Sequence, residues 1–403
     1  MSLNDTPSAQ RTHIGFFGCR NAGKSSLVNA VTGQALSIVS AVKGTTTDPV
    51  TKAMELLPLG PVVIIDTPGF DDEGSLGEMR VLRAKDAVNR SDVAVLVVDG
   101  TQGFRPEDAQ LLELITGRGL PYVIAWNKAD DPAALPAERG TLAVSALTGM
   151  NLHEFKERLA HIAPEHTERR LIGDLVRPGQ TAVLVCPIDE SAPKGRMILP
   201  QQQAIRDLLD AGALAMVTRE TELSAALDRL AEPPALVVTD SQAFRTVADI
   251  VPDDVPLTSF SILMARYKGF LSTAVEGVRA AGRLKDGDRV LMAEGCTHHR
   301  QCNDIGTVKI PRWLRAFSGA EPVFETCTGR DFPEDLSPYA LVIHCGGCML
   351  TENVVNYRMG LAAAQNVPFT NYGVAIACMT GVLERSLRLF PDLHAMAAED
   401  ERR

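Results

Sequence analysis

Gly18-Cys19-Arg20-Asn21-Ala22-Gly23-Lys24-Ser25 follows the apolar run Thr12–Phe17 and precedes Ser26–Val31, which reads as the start of a helix. A strand, a glycine-spaced loop ending in Lys-Ser and a helix together form the arrangement that cradles phosphates. Small residues let backbone N–H groups wrap the phosphates, and the helix N-terminus adds positive potential. In this reading Lys24 reaches the terminal phosphates and Ser25 ligates Mg²⁺, while Asn21, Ala22, Gly23 and Ser26 complete the cradle. Ligands of open parallel sheets sit at the C-terminal strand ends, so the stretch predicts an α/β fold.

Further motifs follow in order. Val62–Ile65 is an apolar strand ending in Asp66-Thr67-Pro68-Gly69, where Asp66 can hold Mg²⁺ through water and the Gly69 N–H can meet a γ-phosphate. Val93–Val98 is another buried strand, and Tyr122–Trp126 a third, leading into Asn127-Lys128-Ala129-Asp130. This last motif selects guanine, because the Asp130 carboxylate accepts from the N1–H and the exocyclic amine, a donor pair adenine lacks. Val144-Ser145-Ala146-Leu147 supplies a backbone contact to the guanine oxygen through Ser145 and Ala146. Thr45, Thr46 and Thr47, in the loop Lys43–Asp48, are candidates for the threonine that closes on Mg²⁺ and the γ-phosphate. The expected hydrolytic set is Lys24, Thr46, Asp66 and Gly69. Four motifs at strand ends imply a GTPase, and intervening helices at Leu76–Asn89, Pro106–Thr116 and Leu152–His161 imply a mostly parallel, doubly covered sheet.

The residue after Gly69 is Phe70, not a water-orienting glutamine. Asn21 within the phosphate loop resembles the asparagine of the potassium-activated GTPases related to the tRNA-modification GTPase MnmE. That resemblance implies K⁺ as an electrophile in place of an arginine finger. The plainer reading of Asn21 is a turn residue that tolerates left-handed backbone.

At 403 residues the chain predicts two or three domains. A net charge of -10 argues against a nucleic-acid surface, which needs clustered Lys and Arg. The polar opening MSLNDTPSAQRTH is not a secretory signal, and no apolar run is long enough to span a membrane, so the expected compartment is the cytoplasm. There, eight cysteines are not a disulfide framework. Cys19, Cys186, Cys302, Cys327 and Cys378 are scattered and read as plain thiols.

His161–Gln180, punctuated by Pro164, Gly173, Pro178 and Gly179, reads as a linker. Beyond it, candidate strands Thr181–Cys186, Ala213–Val217, Ala235–Thr239 and Pro256–Phe260 alternate with helices Gln201–Ala211, Thr221–Leu230 and Ser241–Ile250. Their near-continuous apolar runs suit strands buried on both faces of a second, smaller α/β domain. It shows no catalytic constellation, and a structural or dimerisation role is expected.

The remaining three cysteines fall in two tight groups. Asp288–Met292 leads to Gly295-Cys296-Thr297-His298-His299, and Ala340–Ile343 ends in His344-Cys345-Gly346-Gly347-Cys348. If the two strands are neighbours, Cys296, Cys345 and Cys348, with His298 or His344, face one metal. The Gly-Gly pair permits the tight turn this needs. A closed Cys₃His zinc site and an iron–sulfur cluster both fit the spacing.

A GTPase region followed by Cys-x-His and, 45 intervening residues after that His, His-Cys-x-x-Cys resembles HydF, the maturation GTPase of [FeFe]-hydrogenase. The resemblance covers essentially the whole chain. It implies a GTPase domain over 1–165, a dimerisation domain over 175–263 and a [4Fe-4S] domain over 264–403. Cys296, Cys345 and Cys348 would hold the cluster, and His298 or His344 would be candidates for a labile fourth ligand. The implied role is a homodimeric or larger scaffold that receives a diiron precursor from radical-SAM maturases and delivers it to apo-[FeFe]-hydrogenase. The rival reading is a ribosome- or tRNA-associated GTPase with structural zinc.

Overall fold

The computed structural model describes residues 7–33, 50–69, 75–129, 141–164, 169–188, 197–295, 304–329 and 331–400. Two compact units, Met1–Thr167 and Glu168–Arg403, make up the chain.

The first unit holds β1 (Thr12–Phe17), β2 (Val50–Leu56), β3 (Gly60–Asp66), β4 (Val93–Asp99), β5 (Tyr122–Asn127) and β6 (Thr141–Ala143) in the order β2-β3-β1-β4-β5-β6. All neighbours are parallel except β2, which runs antiparallel to β3. Every residue of β1 is buried, because helices cover both faces. Ile14 and Phe16 pack with Leu27, Val28, Phe155 and Leu159 on one side. Phe17 packs with Ile65, Leu96, Leu111 and Ile115 on the other. Expected helices appear at Lys24–Thr32, Ser75–Arg90, Pro106–Gly117 and Leu152–Ile162.

The second unit contains two four-stranded parallel sheets. β7 (Thr181–Val185), β8 (Leu214–Thr218), β9 (Leu236–Thr239) and β10 (Leu257–Ser259) lie in the order β10-β9-β7-β8. β11 (Arg289–Glu294), β12 (Val323–Thr328), β13 (Tyr339–His344) and β14 (Phe369–Asn371) lie in the order β12-β11-β13-β14. One apolar core runs from Val183 and Val237 in the first sheet to Val290, Ile343 and Phe369 in the second. β8 departs from the expectation of strands buried on both faces. It is an edge, with Leu214 57% and Val217 45% exposed. The expected linker is also docked from residue 169 onward. Leu171, Ile172 and Val176 are buried, and the Asp207 carboxylate accepts from the Ile172 and Gly173 N–H groups at 2.7 and 2.7 Å.

Close packing is strictest where the helix Leu271–Gly277 crosses β14. A Cβ on Gly277 would stand 2.1 Å from the Phe369 carbonyl oxygen and 2.6 Å from its carbon, backbone atoms that cannot turn aside. Gly277→Ala is therefore expected to destabilise the chain by about 1–3 kcal/mol or more. Gly360, exposed in the helix Glu352–Ala364, has nothing within 4 Å of an added Cβ. Gly360→Ala should stabilise by up to about 1 kcal/mol. Urea midpoints of the two variants moving in the same direction would contradict this account.

No helix among the described residues is long and apolar enough to cross a membrane.

Candidate functional site

The phosphate loop leaves the end of β1 and closes on itself. Asn21 (φ 64°) and Gly23 (φ 88°) both adopt left-handed backbone, which turns successive N–H groups toward one concavity. Gly23 admits no side chain, since a Cβ would lie 2.2 Å from Asn127 Nδ2. Ala22 is buried, while Asn21 and Ser26 are exposed. The Lys24 ammonium donates to Gly18 O and Cys19 O, both at 2.9 Å, which holds it at the mouth of the loop.

Ser25 Oγ donates to Asp66 Oδ2 at 2.8 Å. The other carboxylate oxygen, Asp66 Oδ1, is buried without a hydrogen-bond partner. Burial pushes the Asp66 carboxyl above the usual carboxylate range, against the Ser25 hydrogen bond and the Lys24 charge. A hydroxyl beside an orphaned carboxylate oxygen is a donor set that fits Mg²⁺. Thr67 Oγ1 donates to Phe16 O at 2.6 Å and ties this strand end to β1. Gly69 lies so near the loop that a Cβ would stand 2.8 Å from the Arg20 Cα.

Asn127 joins the phosphate and guanine parts. Its Nδ2 donates to Ala22 O at 3.0 Å, and its Oδ1 accepts from the Ala146 N–H at 3.1 Å. Lys128 adopts φ 62° and donates to Asp99 Oδ2 at 2.6 Å. Burial pushes the Asp99 carboxyl up, but hydrogen bonds from Lys128 and Thr101 outweigh it and hold it below its ordinary value. Ser145 is fully buried, and its Oγ accepts from the Thr148 N–H at 3.1 Å. Sequence reasoning missed Asp108, whose carboxylate accepts from the Cys19 thiol at 3.0 Å and braces the loop from the helix Pro106–Gly117. Burial, together with that tie, pushes the Cys19 thiol up to about 12. Thr45, Thr46, Thr47, Phe70 and Asp130 lie outside the described residues.

In the second unit β11 and β13 are adjacent and parallel, with Ala293 opposite His344. The two ligand-bearing strand ends are therefore side by side. The Cys345 N–H donates to Ala293 O at 2.8 Å. Cys345 Sγ in turn accepts from the Gly295 N–H at 3.0 Å and the Gly347 N–H at 3.4 Å. Gly347 supplies the turn at φ 64°. Two N–H groups on one sulfur is the environment of a thiolate or a metal-bound sulfur, and Gly295 immediately precedes Cys296. Burial pushes the Cys345 thiol up, against those N–H bonds, and pushes Cys348 up to about 11. Loss of these protons therefore accompanies any metal binding.

Cys296, Thr297, His298, His299 and Cys302 lie outside the described residues. Among the described residues no group of three His, Cys, Asp or Glu gathers to hold a metal. His344 is fully buried with both ring nitrogens engaged. Nδ1 donates to Cys345 O at 2.7 Å, and Nε2 accepts from Arg358 Nη1 at 3.0 Å. Burial and the neighbouring guanidinium lower its pKa to about 3, so the ring is neutral. In this conformation His344 has no lone pair left for a metal and acts instead as a brace for the turn. Cys327 lies on β12 opposite Ala293, pushed by burial up to about 11. Cys378 borders a separate cavity of about 530 Å³ with Val275, Arg279 and Phe317.

Comparisons with known proteins match each region. Residues 13–128 match the family described as 50S ribosome-binding GTPase, 171–269 the hydrogen maturase F dimerization domain, and 272–389 the hydrogen maturase F tetramerization domain. GTPase Der of Kosmotoga olearia is 37% identical over 122 residues, covering 29% of this chain and 27% of that protein. The tRNA modification GTPase MnmE of an Acidovorax species is 34% identical over 159 residues, 36% of this chain and 34% of that protein. The chain thus spans about a third or less of the length of these relatives. A solved structure of Aquifex aeolicus Era bound to GDP and AlF4⁻ is 21% identical with a TM-score of 0.34, covering 51% of this chain and 93% of Era. The two hydrogen maturase F matches together span more than half the residues and follow a GTPase domain, and the chain belongs to the HydF family of hydrogenase-maturation GTPases.

Proposed function

We propose that this protein hydrolyses GTP and acts as a scaffold in [FeFe]-hydrogenase maturation. It would hold a [4Fe-4S] cluster through Cys296, Cys345 and Cys348 and pass a diiron precursor from radical-SAM maturases to the apo-hydrogenase in the cytoplasm. One observation carries this reading. The backbone N–H of Gly295, the residue before Cys296 in the sequence, donates to the Cys345 sulfur at 3.0 Å, which supports a shared site for the two cysteine groups. Three thiolates leave one iron corner without a protein sulfur, and a bound cluster supplies exchangeable coordination there. With His344 engaged, His298 or solvent is the proposed occupant of that corner.

At the nucleotide, the loop N–H groups and Lys24 bind and orient the phosphates, while Ser25 and Asp66 hold Mg²⁺. Asn127 keeps the loop and the Ala146 backbone in register, and Asp130 would select guanine. The model described as 50S ribosome-binding GTPase matches residues 13–128, and residues 171–269 and 272–389 match hydrogen maturase F models, so the zinc rival is disfavoured.

Anaerobic reconstitution followed by iron, sulfide and zinc analysis tests the reading. About four irons and four sulfides per chain are expected for this cluster type. A colourless protein with zinc alone would refute it. K⁺ bound near Asn21 would supply charge in place of an arginine finger. Hydrolysis should then run on the order of tenfold faster in KCl than in NaCl at matched ionic strength. Equal rates would reduce Asn21 to its role as a left-handed turn residue.

A further inference from the structure

Two buried cations stand near the turn from Cys345 to Cys348. Lys268, 3% exposed, follows the helix Phe260–Tyr267. Its ammonium donates to Leu350 O, and its Cδ lies 3.9 Å from where a Cβ on Gly347 would stand. Arg358, 4% exposed, comes from the helix Glu352–Ala364. It donates to His344 Nε2 at 3.0 Å and to Gly329 O, with its guanidinium 4.9 Å from the Phe332 ring centre. Within the turn, Cys345 packs against one apolar core and Cys348 against the other. Acidic groups at this end of the sheet include Asp331, whose N–H donates to Thr328 O, and Glu294, 7% exposed, which accepts from Tyr372 Oη at 3.5 Å.

A buried lysine and a buried arginine are costly to desolvate unless negative charge stands nearby. We propose that Lys268 and Arg358 are charge partners of the cluster-bearing thiolates and set the reduction potential of the bound cluster. The proposal rests on the reading that this turn holds an iron–sulfur cluster. Three thiolates outweigh the charge of the core, and reduction adds another electron. Cations fixed in a low-dielectric surround therefore favour the reduced form more than the oxidised one.

Lys268 lies in the stretch 171–269 that matches the dimerization domain, not in 272–389. The dimerisation region thereby contributes a charge to the cluster site. A change in how the helix Phe260–Tyr267 packs would move that ammonium and shift the potential, with no change in the ligands.

The test is an EPR-monitored redox titration of the full chain, reconstituted anaerobically, with iron and sulfide measured first. Lys268→Met and Arg358→Met are each expected to lower the reduced-to-oxidised ratio about tenfold at a fixed potential, a shift of about 59 mV for one electron. Lys268→Arg, which keeps the charge, should titrate like the wild type. Midpoints unmoved in both Met variants overturn the proposal. So does a Lys268→Arg midpoint as low as that of Lys268→Met. If Lys268→Met fails to hold a cluster, retention by Lys268→Arg supports the proposal, and loss in both overturns it. Wild-type protein that takes up zinc and no iron overturns the cluster reading itself, and this inference falls with it.

Discussion

Cys345→Ser is expected to yield a chain that hydrolyses GTP at the wild-type rate, loses its cluster and no longer activates apo-hydrogenase. Cys345 follows directly on β13, beside β11, and its sulfur accepts from two backbone N–H groups, those of Gly295 and Gly347. A serine oxygen can keep those hydrogen bonds, so the local fold should survive. It is a hard donor with a much higher pKa, poorly suited to a site built for soft thiolate ligands. Iron content should fall at least about tenfold, the lower end of the roughly 10–100-fold that even supporting residues of a metal site cost. The phosphate loop belongs to the other compact unit, so hydrolysis has no reason to change. Cys348→Ser and Cys296→Ser should behave alike. Iron and sulfide analysis, hydrogenase activation and GTPase rates on the same preparations decide it. Full activation by any one of the three would remove that cysteine from the ligand set.

Lys24→Ala should do the converse, keeping the cluster and losing hydrolysis. Its ammonium is held by Gly18 O and Cys19 O at 2.9 Å each, at the point where the backbone N–H groups converge. Removing it deletes the positive charge that the loop motif supplies to the terminal phosphates, and takes this donor from the Gly18 and Cys19 carbonyl oxygens. Loss of a preorganised electrostatic group of this kind costs on the order of 10²–10³ in rate. The measurement is kcat/KM for GTP beside the iron content of the same sample. A loss under tenfold would mean that Lys24 braces the loop without stabilising the transferring phosphoryl group.

Much of this was legible because nucleotide chemistry needs contiguous residues at fixed spacing. The phosphate loop, Asp66-Thr67-Pro68-Gly69 and Asn127-Lys128 each follow a fully buried or nearly buried strand, whose apolar run announces it. β2 and β12 went unread for the opposite reason. Both are edges with little buried surface, so the apolar signal in Val50–Leu56 and Val323–Thr328 is thin. β8 erred the other way, its apolar run suggesting burial where Leu214 and Val217 face outward. The glycines and prolines of His161–Gln180 suggested a free connector, whereas Leu171, Ile172 and Val176 bury themselves in the second unit.

At the cysteine site the division is sharper. The order of residues alone names the available ligands: three thiols in two groups, a glycine turn between two of them, and histidines beside both. It takes the packing of the chain to make β11 and β13 neighbours, to spend His344 on Arg358 and the Cys345 carbonyl, and to carry Lys268 to Leu350. The physical reason is range. A turn or a phosphate loop is fixed by the backbone preferences of adjacent residues. The partner of a buried histidine or lysine depends on how whole helices pack across a sheet, and no local spacing encodes that.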